Sequence, residues 1–113
     1  MCTLVHMSWI VLVVSGLLET VWAIALARSD GFSKPGWVVL FVVAGAVSFA
    51  GLTYALRELP VGTAYAVWTG LGAAGTAVVG MILLGESAQA MRIVCVLLIV
   101  IAVVGLQATS SHA

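Results

Sequence analysis

Four stretches of about twenty residues, each nearly free of ionisable side chains, dominate this chain; they run over roughly 8–27, 37–56, 61–84 and 91–108. A bilayer's hydrocarbon core is about 30 Å thick, and about 20 residues of helix cross it. Backbone N–H and C=O groups cannot stay unpaired in lipid, so apolar runs of this length are helices unless they form a barrel, and the short alternating strands of a barrel are missing. The expected fold is therefore an all-α membrane protein, a single four-helix transmembrane domain over 1–113. Of 113 residues, 64% are hydrophobic and 7% charged, too apolar a mixture for a soluble surface. Four Lys or Arg against four Asp or Glu leave no net charge, which excludes the basic stripe that nucleic-acid binding needs. Cys2 and Cys95 have neither metal-ligand spacing nor a partner motif, and no metal or cofactor is expected.

Ala23-Ile24-Ala25 has the small-x-small shape of a cleavage site, but no Lys or Arg precedes the first apolar run and a glutamate interrupts it. The run reads as a retained helix. Residues 29–36 form a turn-rich loop, and Pro60 fits the first turn of the third helix, where its missing N–H is not needed. Residues 1–6 fall outside this plan, are expected to be loosely ordered, and leave Met7 as an equally natural start. Loops one and three hold Arg28, Lys34 and Arg92, and loop two holds Arg57. So even a distribution of positive charge predicts insertion in both orientations.

Glu19 stands midway along the first span. Insertion scales charge about 2.5 to 3.5 kcal/mol for an ionised side chain at that depth. No basic residue lies well inside any span to offset this. Desolvation without a fixed cation favours the neutral acid, so a proton and a mobile cation can occupy the carboxylate in turn. The alternative, a permanently protonated acid bonded to a neighbouring helix, fits less well, because membrane-buried ionisable groups usually act in function.

Ser15 and Gly16 lie one turn before Glu19, and Trp22 and Ala23 one turn after it, a stripe of small and polar groups with an indole. On the second helix Ser48 is the hydroxyl nearest the centre. On the third, Tyr65, Trp68, Thr69 and Gly72 form an i, i+3, i+4, i+7 stripe that can face the carboxylate. Trp9 and Trp37 fit an interfacial belt, whereas Trp68 lies roughly 10 Å inside its span. Gly72, Thr76 and Gly80 form a small-xxx-small row suited to close helix approach. Glu86, Arg92, His6 and His112 are expected to be solvated and receive no chemical role.

Transporters commonly build a midplane site between two inverted repeats. This chain has no second half, so a second copy of itself in inverted orientation, an antiparallel homodimer with two Glu19 carboxylates, is the economical expectation. Mutually exclusive occupancy by protons or one cation is sufficient for antiport.

Gly16-Leu17-Leu18-Glu19, Gly31-Phe32, the run Leu59-Pro60-Val61-Gly62-Thr63-Ala64-Tyr65-Ala66-Val67-Trp68-Thr69-Gly70, and Gly85-Glu86 together resemble the small multidrug resistance family from Met7 onward. Trp22 and Trp68-Thr69-Gly70 look like its guanidinium-exporter branch. The resemblance implies a proton-coupled antiporter in the inner (plasma) membrane that exports guanidinium and small substituted guanidinium cations. It implies that Glu19 is the shared proton and substrate ligand, Trp22 and Ser48 orient it, Tyr65 acts near the switch between sites, and Trp68 walls the pocket; Gly16, on the Glu19 stripe, is counted among the pocket residues. It also implies an antiparallel dimer in which helices one to three line the site and helix four pairs. Family members often carry a lysine just after the first helix, where this chain has Ala27 and then Arg28.

The substrate agrees with the physics, since a carboxylate accepts two parallel N–H bonds from a planar guanidinium and indole faces add cation–π attraction. Two other readings stand beside it. An exporter of hydrophobic quaternary ammonium ions would protect cells against bulky aromatic cations. A non-transporting subunit of a membrane heterodimer would not need a titratable glutamate.

Overall fold

The computed structural model describes residues 2–110, with side chains over 5–109. Four helices follow one another: α1 Cys2–Arg28, α2 Pro35–Ala55, α3 Val61–Leu83 and α4 Ala90–Ser110. Each contains a segment long and apolar enough to cross a membrane. α1 packs along both α2 and α3, α4 packs on α3, and α2 and α3 touch little. The result is a slab of 45 × 34 × 18 Å. Its flatness leaves long apolar side chains such as Val39, Val43, Leu98 and Ile101 exposed, which water would penalise and lipid does not.

Several boundaries differ from the sequence expectation for local physical reasons. α1 begins at Cys2, so residues 2–6, expected to be loose, already belong to the helix; Met1 and His112 lie outside the described residues. α2 begins at Pro35, because proline's fixed φ and missing N–H suit a first helical position. Pro60 stays extended just before α3, at φ −60° and ψ 143°, and helix begins at Val61. The loop between α1 and α2 turns through positive φ at Asp30, Gly31 and Phe32. Ser29 stabilises that turn: its hydroxyl donates to the Leu26 carbonyl at 2.7 Å and accepts from the Phe32 N–H at 3.2 Å.

The hydrophobic core comprises Leu12 of α1, Leu52 and Ala55 of α2, Leu59 of the turn, and Ala64, Val67 and Trp68 of α3. It fills the end of the bundle where α2 turns into α3. Beyond it α1 alone separates α2 from α3, and Glu19 lies on that stretch. α4 approaches α3 at Gly70, where Val103 and Ile99 occupy the space a side chain would take.

Candidate functional site

Gly16 lets α1 and α3 come close: a Cβ there would lie 3.0 Å from the Leu71 Cβ and 3.3 Å from the Trp68 carbonyl oxygen. One turn later the same approach brings the Glu19 side chain across Gly72, where its carboxyl group fills the position of the missing Cβ. The expected small-residue row allows close helix approach at Gly72, where Glu19 of α1 packs, while Gly80 receives Glu86 from the loop. Glu19 Oε1 is buried and has no hydrogen-bond partner among the described residues. The chain's four Lys and Arg, namely Arg28, Lys34, Arg57 and Arg92, lie at helix ends or in the turns between helices.

Trp22, one turn beyond Glu19, points toward α2. Its ring lies against Gly45, with centroids 5.9 Å from Phe41 and 6.5 Å from Phe49, the latter stacked. Its Nε1–H is buried and, among the described residues, unpartnered. Glu19 thus presents a buried acceptor toward α3 and Trp22 a buried donor toward α2.

Ser48 is fully buried and ties three helices together. Its hydroxyl donates to the Ser15 carbonyl of α1 at 2.7 Å and accepts from Trp68 Nε1 of α3 at 3.1 Å. Its proton is directed to a backbone carbonyl rather than to the Glu19 carboxylate, because Ser15 lies one turn nearer the core. Trp68 is 3% exposed, whereas Tyr65 is 56% exposed and touches the site through Trp68, with ring centroids 5.9 Å apart. Thr69, on the same predicted stripe, spends its hydroxyl on the Tyr65 carbonyl of its own helix at 2.7 Å. The structure thus brings Glu19 and Gly72 into contact, groups Trp22, Ser48 and Trp68 through their rings and hydrogen bonds, and leaves Tyr65 at the edge.

Phe49 was not singled out from the sequence. It completes the wall, with its centroid 4.9 Å from Trp68 and stacked on Trp22. A signal for it exists. Phe41, Gly45 and Phe49 share one i, i+4 row of α2, two rings flanking a gap, and the Trp22 ring lies beside that gap.

Four helices long and apolar enough to cross a membrane, one of them carrying a half-buried carboxylate midway along its length, define a membrane-embedded protein. More particularly, the chain belongs to the small multidrug resistance family, matching the description "Small Multidrug Resistance protein" over residues 7–99. It is 54% identical over 106 residues to the "Guanidinium exporter" of Escherichia coli (strain K12), covering 94% of this chain and 100% of that protein. Against the "Guanidinium exporter" of Yersinia pseudotuberculosis serotype I (strain IP32953) it is 52% identical over 104 residues, 92% of this chain and 100% of the relative. The relative of the same name from Citrobacter freundii is 52% identical over 106 residues, again covering 94% and 100%. The chain is a multi-pass inner-membrane transporter.

Proposed function

We propose that this protein is a proton-coupled antiporter that exports guanidinium and small substituted guanidinium cations. The observation that carries the reading is the buried Glu19 Oε1 acceptor midway along α1, without a hydrogen-bond partner or an ion pair among the described residues. A carboxylate without a fixed counter-ion is satisfied by a proton or by a cation that donates hydrogen bonds, and not by both together. Guanidinium offers planar N–H donors to the carboxylate and a flat face to the rings of Trp22, Phe49 and Trp68. Relatives covering almost the whole chain at 52% to 54% identity carry the name guanidinium exporter, which supports the same substrate.

The working unit in this proposal is an antiparallel homodimer, built from copies inserted in both orientations. A slab 18 Å thin, with Glu19 beyond the core, calls for a second copy to close the site. Two Glu19 carboxylates would then face one cavity, and protons entering from one side would release the cation on the other.

The deciding experiment is reconstitution into vesicles with a pH indicator, offering guanidinium, methylguanidinium and a quaternary ammonium in parallel. Guanidinium is expected to drive proton movement. Proton movement driven by the quaternary ammonium alone would establish the multidrug reading instead. A C-terminal topology reporter is expected on both membrane faces, and a single orientation would refute dual insertion.

A further inference from the structure

At the end of the bundle where α2 turns into α3, Ser8 of α1 is 1% exposed, yet its hydroxyl has no hydrogen-bond partner among the described residues. It lines a pocket of about 80 Å³ together with Tyr54, Arg57 and Glu58. Arg57 and Glu58 are adjacent and of opposite charge, but they form no ion pair with each other. The Arg57 guanidinium lies 5.8 Å from the centroid of the Tyr54 ring, a cation–π contact that holds the group while leaving its N–H bonds available. One small pocket thus gathers a cationic donor, an anionic acceptor, an unpartnered serine hydroxyl and a tyrosine.

An anion alone would be repelled by Glu58 and a cation alone by Arg57. A ligand carrying both charges in a short span satisfies both. The location narrows the choice, because Ala55 ends one membrane-crossing helix, Val61 begins the next, and Ser8 lies near the start of the segment Val5–Arg28. The pocket therefore sits at the polar boundary of the bilayer, where lipid headgroups are.

We propose that this pocket binds the headgroup of an aminophospholipid. The phosphate accepts from Arg57 and from the Ser8 and Tyr54 hydroxyls, and the primary ammonium donates to Glu58. A trimethylammonium headgroup has no N–H to give Glu58, and a glycerol headgroup has no cation. A serine headgroup adds a carboxylate that Glu58 would repel, which leaves phosphatidylethanolamine as the lipid that fits. This inference does not depend on the transported substrate.

The test is native mass spectrometry of the full-length protein titrated with phosphatidylethanolamine, phosphatidylglycerol and phosphatidylcholine of identical acyl chains. Retention of phosphatidylethanolamine is expected to exceed that of the others by about tenfold, the worth of one charge-assisted hydrogen bond. Glu58→Gln is expected to erase its advantage over phosphatidylcholine, Arg57→Ala to weaken all three, and Arg57→Lys, which guards against a folding defect, to keep the order of preference. Ser8→Ala is expected to lower phosphatidylethanolamine retention by about threefold, the loss of a neutral hydrogen bond. Equal retention of the three lipids, or a preference that survives Glu58→Gln, overturns the proposal. Free phosphoethanolamine is expected to compete more weakly than the lipid, and tighter binding of the free compound would overturn the assignment to a lipid.

Discussion

Two carboxylates rest on the same helix in the same manner and have opposite surroundings. Glu19 crosses α3 at Gly72, and Glu86 crosses it about two turns later at Gly80. Glu86 reaches Gly80 from the loop, and Arg92 stands 3.2 Å from its Oε1, both side chains more than a third exposed. Glu19 reaches Gly72 from the middle of α1, with Oε1 buried and no ion pair among the described residues. Glycine supplies room for an acid in both places. The two acids differ in whether the fold also supplies a cation, as it does for Glu86. Glu86 was expected to be merely solvated; α3 ends close enough to the start of α4 for Arg92 to meet it.

The largest effect should come from making Glu19 resemble a satisfied group. Glu19→Gln removes the charge and is expected to lower guanidinium-driven proton movement on the order of 100-fold, as expected for losing a charged contact of about 3 kcal/mol. Transport retained at wild-type rates in vesicles would mean that the charge is not used.

The glycines provide a matched pair. At Gly72 a new Cβ would lie 2.7 Å from the Glu19 Cβ, which is fixed to the α1 backbone, so the two helices must part. Gly72→Ala should therefore destabilise by about 1 to 3 kcal/mol and displace the carboxylate, reducing transport together with thermal stability in detergent. At Gly80 the atoms nearest a new Cβ are those of the Glu86 carboxyl tip, which can swing away. Gly80→Ala is expected to be neutral or to stabilise by a few tenths of a kcal/mol, since alanine favours helix over glycine by up to about 1 kcal/mol. Equal costs at the two positions would show that Glu19 and Glu86 constrain α3 alike.

Ser48→Ala leaves Trp68 Nε1 buried without an acceptor, at an expected cost of about 1 to 3 kcal/mol. Adding Trp68→Phe removes that donor, so the double variant should lose less than the sum of the two single variants in thermal unfolding. Strict additivity would argue that the hydrogen bond does not couple α2 to α3. The smallest effect belongs to the exposed pair: Arg92→Gln should cost less than about 1 kcal/mol and matter less still in high salt.

Most of the fold and the centre of the site were legible in the chain because lipid narrows the choices so severely. Apolar runs long enough to span a bilayer must be helices, and Glu19, midway along one of them with no basic neighbour at that depth, had to be anomalous. The stripe through Gly16 and Trp22 followed from helical spacing alone. Tertiary structure decided what each polar group touches: Ser48 donates to Ser15 and not to Glu19, Phe49 joins Trp22 to Trp68, and Tyr65 is left outside. Periodicity assigns a residue to a face of its own helix. The rotation and separation of neighbouring helices come from contacts such as Gly16 against Leu71 and Glu19 against Gly72, made between residues far apart in the chain.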